Sequence, residues 1–361
     1  MIKFSIMRIR YVTSRDRSAW NEFVSKAEGS PVLQSYEWGE FKSSFGWEPI
    51  RIAIEDDDAG IIGGISILKR RIPIFGSLFY APRGPVIDFK SEKALDLLLT
   101  AIAFEAKKHR AVYLKIDPEV MEEDREALDI LQSKGFIKKK KQIQPRTTFL
   151  IDITRPLPDI LASFEEKTRY NIRLSQKKGV TVVDASNGEG IRTFYNIYQE
   201  TAGRENFLIH PLSYYEEARR ALVEPGFGKV FLAKYKGEPI AGIFIFTFGE
   251  RIWYMYGASK SSHRELMPNH SLHWHVIEWA KKAGYKTYDL WGIPSNPSEN
   301  HPLYGVYRFK KGFNGKLVKF IGAYDLPFNA FLYHLIDNGI NFWQNLRSLI
   351  KKGKIEDSLA E

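Results

Sequence analysis

One half of this chain reads as a copy of the other, and that repetition limits the fold more than any other feature. Residues 18–136 open on a helical stretch around Trp20, Phe23 and Val24. Residues 190–316 open on Ile191, Phe194, Tyr195 and Tyr198, at the i, i+3, i+4, i+7 spacing of one helix face. Two strands joined by a tight turn follow in each half, "RIAIEDDDAGIIGGISIL" and "VFLAKYKGEPIAGIFIF", with an acidic turn in the first and Lys236-Gly237 in the second. Each second strand carries a glycine early, Gly64 or Gly242. A third strand comes next, "SLFYAPRGPV" or "RIWYMYGAS", and then an amphipathic helix. Its apolar face holds Leu95, Leu98, Leu99 and Ile102 in one half and Leu272, Val276, Trp279 and Ala280 in the other. A strand of buried character closes each unit, "AVYLKID" or "TYDLWGI".

Helix, strands, helix, strand, twice over, predicts an α/β protein of two tandem domains. The order resembles that of the acetyltransferase-like (GNAT) unit. The expected boundaries are 1–144 for the first GNAT-like domain and 145–324 for the second, with 325–361 a C-terminal helix returning to the first. In that tail Phe331, Leu332, Leu335, Ile336, Ile340, Phe342 and Trp343 sit near helical spacing, and basic residues follow. Such a helix packs on a domain or lies on a membrane surface. Between the halves, Lys138 to Lys141 read either as a solvated junction or as part of a basic cleft.

Composition excludes several classes. With 361 residues, 44% of them hydrophobic and 14% aromatic, the chain can fill two cores. It has no cysteine, which removes disulfides, thiolate zinc sites and a cysteine nucleophile together. A net charge of +10 favours anionic partners: nucleic acid, phosphorylated metabolites or an anionic membrane face. No apolar run reaches the length of a membrane span, and "MIKFSIMRIRYV" has no export signal, so a cytoplasmic location is expected.

Familiar catalytic motifs are missing. There is no Walker loop, no dinucleotide fingerprint and no Gly-x-Ser-x-Gly elbow. Coenzyme A transferases of the GNAT type cradle pyrophosphate on a glycine-rich loop at a helix N-terminus. The corresponding loops here, "RGPVIDFKSE" and "KSSHRELMPNHS", do not provide one. His270, His273 and His275 do not share one helix face and read as packing or surface residues rather than metal ligands.

The stretches "LQSYEWGEFKSSFGWEP", "FYAPRGPVID", "KTRYNIRLSQKKGV", "YGAS", "GYKTYDLWGIP" and "YRFKKGFNGKLVKFIGAYDLP" run in order through nearly the whole chain. Together they resemble the FemX/FemAB peptidoglycan bridge-forming aminoacyltransferases. The resemblance implies tandem GNAT-like domains that move an amino acid from aminoacyl-tRNA to the stem-peptide side-chain amine of a peptidoglycan precursor, lipid II or UDP-MurNAc-pentapeptide. With no long heptad insert, the chain is similar to the shorter FemX type, which lacks the coiled-coil arm. The resemblance assigns Lys42 to the precursor's diphosphate, and Tyr80, Arg83 and Asp117 to the first-domain side of the substrate groove. Tyr214, with Tyr254 or Tyr256, falls on the second-domain side. Phe309 and Lys310 match the pair at the acyl-transfer centre. One departure stands out: His210 occupies the place of an arginine that serves the diphosphate, with Arg204 close by in sequence as a substitute.

Aminolysis of an ester that is already activated requires no cofactor, ATP or metal. It needs a neutral amine and a partner for the tetrahedral oxyanion. Asp117 is the candidate general base. If 306–311 is a strand, Lys310 and Lys311 point to opposite faces; Arg308 then accompanies Lys310, and Phe309 accompanies Lys311. Lys167, Arg173 and Lys177 form either a solvated helix face or a tRNA-phosphate patch. Two other functions compete with aminoacyl transfer: an acyl-CoA-dependent N-acyltransferase on the same fold, and a non-catalytic RNA- or membrane-binding protein. A peripheral contact with the inner membrane leaflet is expected through the basic tail around Arg347, Lys351 and Lys352.

Overall fold

The computed structural model describes residues 6–336. The chain divides into two compact units. Among the described residues, one contains 6–146, together with 294–296 and 319–336; the other contains 147–293 and 297–318.

The first unit is built on a sheet whose main path runs Met7–Tyr11, Glu48–Asp56, Gly60–Ile72, Gly76–Ala81, Ala111–Ile116, Tyr324–Pro327, Ile137–Lys138, with Val86–Ile87 paired to Gly60–Ile72 at the side. The second unit's sheet runs Thr181–Asp184, Gly228–Tyr235, Glu238–Phe248, Arg251–Ser259, Thr287–Asp289, Thr147–Asp152, Lys316–Lys319. Position by position the two paths match, and in each the sixth position is filled by a strand from outside the stretch that repeats. Tyr324–Pro327 follows the second half in sequence but pairs with Ala111–Ile116 and Ile137–Lys138. Thr147–Asp152 follows the first half but pairs with Thr287–Asp289.

Local chemistry sets the elements. Asp56 turns the first hairpin by accepting the N–H groups of Asp58 and Ala59, both at 3.0 Å. Lys236 and Gly237 make the second with φ of +50° and +84°. The early glycine of each second strand answers a packing need. A Cβ on Gly64 would lie 2.7 Å from Trp20, and one on Gly242 would lie 2.8 Å from Phe194, so in each unit a bare backbone receives the aromatic ring of the opening helix. The other sheet face carries the amphipathic helix. Ile52, Ile54, Ile65, Ile67 and Phe79 pack with Leu95, Leu98 and Ile102 in the first unit, and Ile243, Ile245 and Ile252 with Leu272, Val276 and Ile277 in the second.

The segment 306–311 is not a strand. Tyr304–Lys311 is a helix, in which Phe309 and Lys310 turn inward while Arg308 and Lys311 are exposed. Only Val306 among these residues is β-branched, so little in them favours extended backbone, and a 100° step per residue regroups the side chains. In the tail, 330–336 is helical, and the remainder of the expected tail helix lies outside the described residues. Among the described residues the longest helix is Gly188–Glu205, with 18 residues, and no paired-helix arm is present. Also among them, no helix is long and apolar enough to cross a membrane.

Candidate active site

In the second unit, the turn after Thr287–Asp289 shapes the site. Asp289 is buried, accepts the Trp291 N–H at 2.7 Å and the Arg251 guanidinium at 2.5 Å, and also takes the hydroxyl of Thr148. These bonds hold Trp291 in left-handed backbone, φ +58°. The carbonyls of Trp291 and Gly292 thereby converge on Lys310, whose ammonium donates to them at 3.3 and 2.9 Å. Lys310 is only 5% exposed, and its nitrogen lies 5.2 Å from the centre of the Tyr254 ring. Burial pulls its pKa down to about 7, with Asp289 acting in the opposite direction.

Around that lysine the walls are aromatic. His273 is buried, with Tyr254 at 4.5 Å, Phe313 at 5.0 Å and Phe309 at 5.2 Å between ring centres. Its Nδ1 shares a hydrogen bond of 2.8 Å with the Tyr288 hydroxyl. Burial first, and then the charge of Lys310, holds His273 well below the usual histidine range, so its ring is neutral at pH 7. A Cβ on Gly257 would fall 1.8 Å from the Tyr254 hydroxyl oxygen, so that position has no room for another residue. The structure thus brings Phe309, Lys310 and Tyr254 together.

Next to them is a tyrosine cluster. His210 stacks on Tyr214 with ring centres 3.9 Å apart, and Tyr214 shares a hydrogen bond with Tyr256. Tyr256 also meets Tyr215 at 5.4 Å and Tyr198 at 6.0 Å. Burial pushes Tyr198 and Tyr214 up to about 12. Arg204 is engaged elsewhere: its guanidinium donates to the Ser259 carbonyl at 2.9 Å and to Glu205 at 2.8 Å, tying a helix end to a strand end.

In the first unit a second set of predicted residues converges. Asp117 is 1% exposed and accepts the Tyr80 hydroxyl at 2.8 Å and the Arg83 N–H at 2.6 Å, while Gln144 donates to Tyr80 at 3.1 Å. As Asp289 does for Trp291, Asp117 fixes a left-handed residue, Arg83 at φ +57°. The Arg83 side chain donates to the Pro145 carbonyl at 2.6 Å, stands 5.0 Å from the Phe320 ring centre and lines a cleft of about 540 Å³. Desolvation raises the pKa of Asp117 and pushes Tyr80 far above its ordinary value. Lys42 lies against Phe41 (5.6 Å) and Trp38 (5.8 Å), and burial together with the positive charge of Arg70 lowers its pKa to about 8. Arg70 in turn covers Trp47 at 5.2 Å, and Trp47 meets Tyr80 at 6.5 Å.

Arg70, Trp47, Gln144, Tyr288 and Asp289 escape a reading of the sequence, which takes His273 for a packing or surface residue. The repeat carried a signal for one of them. Asp117 follows the strand Ala111–Ile116 and Asp289 ends the strand Thr287–Asp289, and both bind the backbone of a downstream or neighbouring turn. Among the described residues no group of acids and histidines is arranged to hold a metal ion. The helix Pro268–Lys282, where a coenzyme A pyrophosphate would rest, begins with a proline, and no glycine lies in the loop before it, 260–267.

Two helix-backed sheets of one strand order define a tandem GNAT-like acyltransferase fold. A tandem GNAT protein from the clavulanic acid biosynthesis pathway shares it with a TM-score of 0.54 at 11% identity. The FemAB family model matches residues 16–134, 131–224 and 219–338, and the chain belongs to the FemAB family. It is 30% identical to the lipid II:glycine glycyltransferase of Staphylococcus saprophyticus, over 89% of this chain and 94% of that one. It is 28% identical to the enzyme of the same name from Staphylococcus aureus strain MRSA252, covering 92% of this chain and 95% of that one. The crystal structure of FemX superposes with a TM-score of 0.85 at 27% identity, covering 91% of this chain and 99% of that one.

Proposed function

We propose that this enzyme transfers an amino acid from aminoacyl-tRNA to the stem-peptide side-chain amine of a peptidoglycan precursor, with lipid II as the acceptor, at the cytoplasmic face of the membrane. The observation that carries the reading is Lys310: a buried lysine with a pKa of about 7, held by two carbonyls among aromatic rings. The relatives' names supply the acceptor.

The amine's lone pair attacks the ester carbonyl carbon, a C–N bond forms, and the carbonyl oxygen becomes an oxyanion. Collapse breaks the C–O bond to the tRNA ribose, and the proton lost by the nitrogen ends on the ribose oxygen. Charged Lys310 stabilises the oxyanion, strongly because water is excluded around it. Its pKa near neutrality suits a group that gives and regains a proton within one turnover. Phe309 and Tyr254 wall the site. Tyr214, Tyr256 and His210 form the acceptor side of this unit. Lys42 neutralises the precursor diphosphate, with Arg70 adding to the local positive field. Asp117, with both oxygens occupied, acts by holding Tyr80 and Arg83 in place.

The test offers purified protein a mixture of charged tRNAs with lipid II in one arm and UDP-MurNAc-pentapeptide in the other, and weighs the products by mass spectrometry. A mass gain of one or more amino-acid residues, dependent on tRNA, is expected. Acyl transfer from coenzyme A thioesters instead, or no transfer at all, overturns the assignment.

A further inference from the structure

The turn between the strands Gly60–Ile72 and Gly76–Ala81 carries Ile74 at its tip, 93% exposed and at φ +72°. Left-handed backbone is unfavourable for any side chain with a Cβ and most of all for a β-branched one, and exposure forgoes the stabilisation an isoleucine gains inside a core. A glycine or asparagine would form the same turn without either penalty. That both fall on one residue points to a partner outside the molecule.

The surroundings define that partner. A cleft of about 420 Å³ beside the tip is lined by Lys69, Arg71, Lys108 and Arg110, against the single carboxylate of Glu48. Glu48 is matched by Lys69 at 2.5 Å and Lys108 by Glu105 at 3.1 Å, and Arg71 and Arg110 are exposed. The basic segments are held together by Ser77, which donates its N–H to the Arg110 carbonyl at 3.1 Å and its hydroxyl to the His109 carbonyl at 2.9 Å. Apolar surface continues from the tip. Ile72 and Phe75, on either side of Ile74, pack with Leu332 against a cluster containing Tyr113 and Tyr333. The helix at 330–336 leaves Phe331 and Leu335, one turn apart, 77% and 49% exposed.

We propose that the hairpin tip and the adjoining helix face dock on an anionic phospholipid bilayer. Ile74 and Phe331 enter the boundary between headgroups and acyl chains, and Arg71 and Arg110 meet lipid phosphates. An apolar point rimmed by cations complements such a surface on both counts, area and charge. The proposal rests on the proposed function only in its acceptor: a lipid-linked precursor lies in a bilayer of this kind, and docking brings the enzyme to it.

The test is co-sedimentation of the full-length protein with vesicles of phosphatidylcholine alone or with about one-third phosphatidylglycerol, at low and high salt. Wild type binds the anionic vesicles, less at high salt, and ignores the neutral ones. Ile74→Gly weakens binding several-fold while its Tm is equal or higher, because glycine suits the turn. Arg71→Ala and Arg110→Ala each weaken it about fivefold, the loss expected for one cation at an anionic surface. All three variants turn over lipid II dispersed in detergent micelles at the wild-type rate, which separates docking from transfer chemistry. Undiminished vesicle binding by Ile74→Gly, or equal binding to neutral vesicles, overturns the proposal. So does loss of self-association in Ile74→Gly, which makes a second copy the occupant. Stabilisation by inorganic phosphate through Arg71 and Arg110 without vesicle binding makes the cleft a free-anion site and also overturns it.

Discussion

The ammonium of Lys310 lies 5.2 Å from the centre of the Tyr254 ring, and the same tyrosine ring meets His273 edge-on at 4.5 Å. A cation is therefore stored beside a neutral imidazole in a pocket nearly closed to water, and its charge adds to burial in lowering the histidine's affinity for protons.

Lys310→Ala is expected to reduce kcat by a factor on the order of 10²–10³, the range seen when one oxyanion donor is removed. Lys311 is exposed, and Lys311→Ala should change kcat little. Steady-state kinetics on both variants with lipid II and charged tRNA check this. Equal behaviour of the two would remove Lys310 from the chemistry.

Lys310 also makes stability depend on pH. Its pKa is about 7 in the folded chain and returns to the ordinary value near 10.5 on unfolding. Between those values the unfolded chain keeps a proton that the folded chain has released, so stability rises with pH across the window. In Lys310→Met this slope is gone. The variant should gain most over wild type at and below about pH 7, and the gain should shrink toward about pH 10. Melting curves at several pH values test the slope; hydrogen bonds lost at the Trp291 and Gly292 carbonyls add only an offset common to all of them.

His273 is held neutral by burial, so its ring resonances should not titrate between about pH 5.5 and 8. The unfolded chain protonates this histidine as pH falls through about 6.5 while the folded chain does not, and His273 therefore contributes to acid destabilisation. NMR of the imidazole carbons reads this directly, and a midpoint near 6.5 would contradict it.

Lys42→Ala should raise the KM for the precursor and leave the affinity for aminoacyl-tRNA near wild type. Arg70→Ala should act in the same direction, and should also raise the pKa of Lys42 by removing a like charge. Initial rates with each substrate varied in turn distinguish this from a general loss of activity, in which both parameters worsen together.

Tyr80→Phe leaves one buried oxygen of Asp117 without its donor and should cost about 1–3 kcal/mol of stability. Because Asp117 also fixes the backbone of Arg83, the variant should weaken precursor binding more than it slows turnover. A chemical denaturation curve paired with a precursor titration checks both parts.

The sequence by itself determined the order of elements, because each rests on local regularities: the spacing of Ile191, Phe194, Tyr195 and Tyr198, the turn at Lys236-Gly237, and the glycines at 64 and 242 opposite aromatic rings. It also marked Lys310 as different from Lys311, although the contrast comes from a helix and not from an alternating strand. Resemblance placed Lys42, Tyr80, Arg83, Asp117, Tyr214, Tyr254, Tyr256 and Phe309 near chemistry, and the structure gathers them into two groups, one in each unit, while Arg204 is spent on Ser259 and Glu205. Only the tertiary structure decided the partners of the strands Thr147–Asp152 and Tyr324–Pro327, the latter entering the first unit's sheet where a helix was expected from residue 325, since their pairing is long-range and four to six residues carry too little pattern to reveal a partner. It alone decided the protonation of the site. The charge on Lys310 depends on how much water reaches it, and that is set by Tyr254, His273, Trp291 and Gly292, residues 18 to 56 positions away whose approach no local pattern encodes.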